Sequence, residues 1–448
     1  MPAPRRSLSP AQILVVSLAL LIAAGTVLLM LPIAAAGDSL GLVDALFTAT
    51  SAVCVTGLIV VDTPGALSVF GQVVVLLLIQ AGGLGYMTLT TVVAMAIGRQ
   101  LSVHERITLQ EALNVETMDD LLRFALTVFK FTLVFELAGA AILTLAWWGE
   151  FGAGRAVYLG LFHSVSAFNN AGFALFSDSL MQFRGDWVVN AVVITLVVCG
   201  GIGFVVLSEL SRWRRGRRLS VHARLVLGVS ALLVVVATIF VFALERGNPR
   251  TLAGLALPEA WLAALFQAVT PRTAGFNTID IGAMAPATLF GLMILMFIGA
   301  APGGTGGGVK ISTFSITVAA LWATVRGYHY TSLLRRRLSP VLVARAFFIS
   351  LIAFLALNAV AVVLLVVEER SLLLTLFETT SAFGTVGLSM GEGGAPVSLT
   401  GHFGGAGKLL IVAMMFMGRI GPLTLAVAVA HQRSVPSIRY PEGRILVG

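Results

Sequence analysis

Charge is scarce in this chain of 448 residues: aspartate and glutamate together number 21, lysine and arginine 29, and charged side chains are 11% of the whole. Soluble globular proteins carry about 25%, so a water-facing surface is excluded for a chain of this length. Cysteine is scarcer still. Cys54 and Cys199 lie in apolar segments without CxxC or histidine spacing, which argues against a disulfide framework or metal site and leaves two small buried side chains. Six histidines are scattered singly, and no carboxylate, histidine and nucleophile converge, so nothing points to an enzyme. The formal net charge of +8 does not point to nucleic acid, because the basic residues sit in clusters between apolar segments.

What is present is apolar: 58% of residues are hydrophobic and the mean hydropathy is +0.97. Apolar runs occupy residues 13–33, 121–147, 188–210, 225–244, 287–300, 341–367 and 409–430, against the roughly 20 residues a spanning helix needs. The first run follows Arg5 and Arg6 as a signal peptide would. Its length, and the membrane unit that follows Pro32 at once, read instead as a retained first helix. Basic residues cluster at Arg5 and Arg6, from Arg99 to Arg106, from Arg212 to Arg224, at Arg326 and Arg335 to Arg337, and at Arg433, Arg439 and Arg444. Carboxylates such as Asp38, Asp62, Asp178, Asp280 and Glu392 dominate the intervening loops. The positive-inside rule then predicts a multi-pass protein of the plasma (inner) membrane with both termini cytoplasmic.

Internal repetition says more than any single residue. The segment Leu46-Phe47-Thr48-Ala49-Thr50-Ser51-Ala52-Val53-Cys54-Val55-Thr56-Gly57 aligns without a gap with residues 161–172 and 376–387, and with one deletion to residues 265–275. The terminal glycines Gly57, Gly172, Gly275 and Gly387 recur at roughly 100 to 115 residues, the length of two membrane helices plus a loop. Each segment is about half a spanning length, so it enters and leaves on one side as a re-entrant hairpin, which is tolerated only where backbone is buried or lines water. The predicted fold is all-α and polytopic, with four fused helix–pore-loop–helix repeats in pseudo-fourfold arrangement, bounded near residues 1–110, 111–219, 220–337 and 338–448. The bland reading of any one glycine is close helix packing. Four aligned segments argue for a ring of carbonyls that replaces an ion's hydration shell, as in potassium selectivity filters. The ring-lining candidates are Val55, Thr56, Gly57, Asn170, Ala171, Gly172, Thr273, Ala274, Gly275, Thr385, Val386 and Gly387. His163 occupies the pore-helix position filled elsewhere by Thr48, Gln267 and Glu378, which suggests structural or electrostatic work near the mouth.

The second helices carry Gly82-Gly83-Leu84-Gly85, Gly200-Gly201-Ile202-Gly203 and Gly418-Arg419-Ile420-Gly421. Residues 99–106 and 217–224 are also alike, so the repeats run parallel, which disfavours transporters built on inverted repeats. The third repeat instead reads Gly299-Ala300-Ala301-Pro302-Gly303-Gly304-Thr305-Gly306-Gly307-Gly308-Val309-Lys310. Proline and consecutive glycines predict a split helix, and a nucleotide P-loop is excluded because Val309 separates Gly308 from Lys310. A packing kink and a movable plug beneath the filter both fit, with Gly303, Gly304, Thr305, Gly306, Gly307, Gly308 and Lys310 as the gate-loop candidates. Lys310 either orients the loop or snorkels to the cytoplasm. Arg419 replaces Gly83 and Gly201 deep in an apolar helix, where an unpaired arginine costs at least ~2.5–3.5 kcal/mol. It is expected to face the pore and latch the gate through loop carbonyls. Glu136 lies mid-membrane without an assignable partner.

On the four pore segments, the stretch from Thr273 to Asn277, the glycine-rich break and Arg419, the chain resembles the Trk/Ktr/HKT superfamily of potassium transporters, and most closely its Ktr-type membrane subunits. The first helix begins almost at once, without the additional N-terminal helices of the Trk type. The resemblance implies a homodimer with one pore per protomer, seated on a cytosolic ring of nucleotide-binding, KtrA-like subunits. It also implies transported potassium, sodium as an activator and no covalent cofactor. Gly57, in place of the serine of sodium-carrying members, favours potassium. A secondary transporter of another small solute and a weakly selective monovalent cation channel are the alternative readings.

Overall fold

The computed structural model describes residues 10–85, 118–213, 216, 218–392 and 396–429. The basic residues Arg5, Arg6, Arg99 to Arg106, Arg214, Arg215, Arg217, Arg433, Arg439 and Arg444, and the exit at residues 99–106, lie outside the described residues.

Four long helices open the four repeats: Pro10–Met30, Met118–Phe151, Val221–Glu245 and Pro340–Glu368. Each contains an apolar span of 20 to 29 residues, enough at 1.5 Å per residue to cross a hydrocarbon core of about 30 Å. Only 22–33% of the residues in these spans are buried against protein. Leu20, Leu145, Val235 and Val366 are among the large apolar side chains pointing outward, where lipid is the compatible solvent.

Behind each long helix stands a short one: Leu42–Val53, Ala153–Phe168, Leu257–Val269 and Leu372–Gly384. The Leu-Phe pair shared by all four explains part of the repeat. Phe47, Phe162, Phe266 and Phe377 are all buried, whereas Leu161 beside Phe162 is exposed, so the aromatic is the packing anchor. Serine and aspartate N-caps fix several helix starts. Asp186 Oδ1 accepts from Val188 N at 2.8 Å and Val189 N at 3.0 Å, Ser68 Oγ from Gly71 N at 3.2 Å and Ser220 Oγ from Ala223 N at 3.0 Å.

The second helices differ from their expected course. The run 188–210 is not one straight helix: Trp187–Gly201 and Phe204–Trp213 meet at a bend of 105°. The run 409–430 likewise divides into Gly405–Ile420 and Pro422–Val429, and the first repeat's helix, Val69–Gly83, ends just before Gly85. Gly85, Gly203 and Gly421 have φ of 74°, 90° and 90°, a left-handed region open to glycine at little cost, and Pro422 has no N–H to carry the ladder on. The third repeat breaks as its sequence predicts, between Pro286–Phe297 and Ile311–Val325, but it is one of several breaks. A hairpin pairing Ser332 with Arg337 and Leu333 with Arg336 joins the third and fourth repeats. Its two central residues, Leu334 and Arg335, both have positive φ, as a two-residue type I′ hairpin demands.

Polar ties close the repeats into a ring. Tyr158 Oη donates to Gln72 Oε1 at 2.7 Å between the second and first repeats, and Leu180 N to Asn277 O at 3.1 Å between the second and third. Ile59 N donates to Ser398 Oγ at 2.9 Å between the first and fourth. Arg184 Nε lies 2.9 Å from Glu259 Oε1 and Lys408 Nζ 2.7 Å from Asp44 Oδ1. Cys54 is buried as expected, whereas Cys199 is only half-buried.

Candidate functional site: a ring of four glycine segments

The short helices end where the repeated segments turn. Val55, Asn170, Thr273 and Thr385, which follow the helix ends, all have positive φ, between 49° and 72°. Two residues on, Gly57, Gly172, Gly275 and Gly387 are positive again, between 70° and 92°. Residues alternating between left-handed and ordinary backbone turn successive carbonyls to the same side. Each turn is held from behind by one hydrogen bond of common form: Thr56 N to Ser51 O, Ala171 N to Ser166 O and Val386 N to Ser381 O, all 2.8 Å, and Ala274 N to Thr270 O at 2.9 Å.

The four segments meet edge to edge, and the glycines are required by that approach. A side chain on Gly275 would reach the Val386 carbonyl oxygen at 2.6 Å, and one on Gly172 the Ala274 oxygen at 3.0 Å. A side chain on Gly57 would collide with the Ala171 oxygen, and one on Gly387 with the Thr56 oxygen. The carbonyl preceding each glycine thus abuts the glycine of the neighbouring repeat, and the contacts close in a circle. All four glycines line one outer cavity of about 780 Å³, together with Asp62, Asp178, Asp280 and Glu392 and a single cationic side chain, Arg250.

Behind the ring, the aligned pore-helix position does different work in each quadrant. Thr48 Oγ1 donates to Asp44 O within its own helix at 2.8 Å. His163 Nε2 accepts from Leu175 N at 3.2 Å, which leaves the proton on Nδ1 to donate to Leu159 O at 2.8 Å. Glu378 accepts from Ser389 Oγ at 2.6 Å, from Thr400 N at 3.0 Å and from Thr400 Oγ1 at 2.6 Å. Gln267 is fully buried with neither amide atom hydrogen-bonded to protein.

The glycine-rich break crosses the side of the ring opposite the outer cavity. Ala301 N donates to Gly201 O at 3.0 Å, Thr305 N to Gly200 O at 3.1 Å and Gly308 N to Gly418 O at 3.2 Å, while Gly303 O accepts from Phe204 N at 3.0 Å. Arg419 faces this loop, as its burial cost requires. One guanidinium nitrogen donates to Thr305 O and the other to Gly82 O, so a single side chain from the fourth repeat ties the third repeat's loop to the first repeat's second helix. Lys310 Nζ donates to Gly306 O at 2.6 Å, and its ammonium therefore turns back onto the loop.

What some contributors touch was not visible in the sequence. Gly82, Gly200 and Gly418 leave room for the carbonyls of Val53, Phe168 and Phe383, the final turns of their own pore helices. Glu136, left without a partner above, receives Asn169 Nδ2 at 2.8 Å. Arg272 is a further arginine inside the bundle: among the described residues its hydrogen bond is a 3.4 Å contact from Nη1 to Ser230 O, and its Nε has no acceptor there. Its place inside the aligned third segment was the one available signal. Among the described residues no group of histidine, cysteine, aspartate or glutamate could hold a metal ion.

Comparison with known proteins agrees with this architecture. The chain is 41% identical over 440 residues to Ktr system potassium uptake protein B of Bacillus subtilis, covering 98% of this chain and 97% of that one. It is 40% identical to the Vibrio alginolyticus protein of the same name, over 94% of this chain and 91% of that one. To the potassium/sodium uptake protein NtpJ of Enterococcus hirae it is 35% identical, over 99% and 98%. The crystal structure of the potassium transporter TrkH from Vibrio parahaemolyticus superposes with a TM-score of 0.76 at 19% identity, covering 96% of this chain and 86% of that one, which shows a shared fold. The TrkH profile, described as a cation transport protein, matches residues 2–438, and the chain belongs to that family.

Proposed function

We propose that this chain conducts potassium ions into the cell through the four-segment ring, with the glycine-rich loop as its gate and Arg419 as the latch of that gate. The observation that carries the reading is the closed circle of left-handed glycines, each abutting the preceding carbonyl of the next repeat. Carbonyl oxygens gathered on one axis replace the hydration shell of a monovalent cation. The carboxylates of the outer cavity concentrate cations at its mouth. The loop, seated across the opposite side, blocks the path until it moves.

Relatives that are potassium uptake proteins of a Ktr system support potassium as the ion; the likeness to a potassium/sodium uptake protein brings sodium to the same path, and its part as an activator belongs to our reading alone. The Ktr-system relatives support partnering with other components of such a system, to which we add a homodimer in the plasma membrane, both termini cytoplasmic, docked on a ring of nucleotide-binding regulatory subunits.

The test is potassium uptake at low external potassium in a potassium-uptake-deficient bacterium expressing the wild-type chain or Gly387→Ser. Serine at this φ of 89° has no room beside the Thr56 carbonyl. Rescue by the wild type, with lost uptake or weakened exclusion of sodium in the variant, is expected. Equal rescue and equal sodium exclusion by both would falsify the filter reading.

A further inference from the structure

The residues two before the filter glycines are Val55, Asn170, Thr273 and Thr385. They share one backbone conformation but not one chemistry: hydroxyls occur only in the third and fourth repeats. A ring using side-chain hydroxyls as ion ligands calls for one in every quadrant. A loop that comes from one repeat and seats between two of them calls for hydroxyls only where it lands.

The loop lands on these two threonines. Gly307 N donates to Thr385 Oγ1 at 2.9 Å, and a side chain on Gly307 would reach that oxygen at 2.5 Å. A side chain on the adjacent Gly306 would collide with Thr273 Oγ1, whose other neighbour is the Asn170 side-chain amide at 3.2 Å. Both threonines are fully buried. Gly308 N, bonded to Gly418 O at 3.2 Å, sets the loop's next residue, so the chain is fixed on either side of the contact. An amide buried against the filter without an acceptor is costly, and Thr385 supplies the acceptor that the valine of the first repeat could not.

We infer that Thr273 and Thr385 are positioning residues that dock the gate loop onto the base of the filter. The inference rests on the filter and gate reading above. Seating the loop and holding the first residue of the third and fourth filter segments are then one event. When the loop withdraws, Thr385 Oγ1 loses its donor and the floor of the filter is rehydrated.

The test is potassium flux into liposomes holding the full-length chain alone, with the potassium-to-sodium flux ratio measured in parallel. Thr385→Val keeps the shape and deletes the acceptor, and is expected to raise basal flux roughly two- to tenfold, the range for one neutral hydrogen bond. Thr385→Ser restores the acceptor and the wild-type flux. Gly307→Ala acts on the other side of the same contact and raises flux in the same direction, and the double variant adds less than the sum. Should Thr385→Val not accumulate in the membrane, Gly307→Ala decides. Unchanged basal flux in the valine variant, or a fallen potassium-to-sodium ratio at unchanged flux, overturns the docking role and makes the hydroxyl an ion ligand or a packing group. Gly387→Ser, read by the ratio alone, reports separately on the filter.

Discussion

Asn169 Nδ2 donates to Glu136 Oε1 at 2.8 Å in the interior of the helical bundle, one residue before the second filter segment begins. The same nitrogen lies 3.0 Å from Gln80 Oε1 and 2.9 Å from Val165 O. Three acceptors compete for two hydrogens, and the arrangement spans the first repeat's second helix, the second repeat's pore helix and its long first helix. The fold thus secures the turn into the second segment with one amide.

That sharing sets an order among substitutions. Glu136→Leu leaves both Asn169 hydrogens an acceptor, and is expected to cost under about 1 kcal/mol. Asn169→Leu removes one of the two side-chain partners of the buried carboxyl, the other being Gln80, and is expected to cost about 1–3 kcal/mol. The double variant should recover part of that loss, because the two groups are coupled. Thermal unfolding in detergent measures all three, and strictly additive losses contradict the shared amide.

Glycines that touch and glycines that do not should respond with opposite sign. Gly200→Ala and Gly418→Ala push a methyl into the Phe168 and Phe383 carbonyls, with an expected loss of about 1–3 kcal/mol. Gly228 lies within the helix Val221–Glu245 with open space around it, and Gly228→Ala is expected to stabilise by roughly 0.5–1 kcal/mol. The same unfolding assay compares them.

Arg419→Ala removes the donors to Thr305 O and Gly82 O, and is expected to raise flux through the chain reconstituted alone. Arg419→Lys restores only part of the block, since an ammonium is a compact point charge and not a fork spanning two separated carbonyls. If flux and gating are the same in wild type and alanine variant, Arg419 is not a latch.

The Lys408–Asp44 pair, at 2.7 Å, joins the start of the fourth repeat's second helix to the first repeat's pore helix. Both side chains retain solvent contact, 15% and 33%, so the coupling is expected to be about 0.2–1 kcal/mol and to fall as salt rises. A double-mutant cycle with Lys408→Ala and Asp44→Ala at two salt concentrations checks it; a coupling of several kcal/mol that ignores salt contradicts a surface ion pair.

Lipid as solvent, four pore segments, the third-repeat break and the inward-facing placement of Arg419 were legible in the chain alone, because each follows from local rules. Apolar length sets a span, half that length sets a hairpin, a run of glycine with proline cannot remain helical, and an arginine in an apolar helix must find oxygen. The breaks at Gly203 and Gly421 were not read from the chain, although Gly200, Gly201 and Gly203 stand together and Pro422 follows Gly421, because small residues are also what close packing of unbroken membrane helices uses, and only the packing of the pore-helix carbonyls and the loop decides between the two. The partners were invisible for a different reason. Gly82 for Arg419 and Gly307 for Thr385 lie in different repeats and meet because the four repeats close around one axis, while Asn169 and Glu136 meet where the second repeat's pore helix packs on its own first helix. Residue chemistry determined that these polar groups needed partners, and the tertiary closure of the ring decided which.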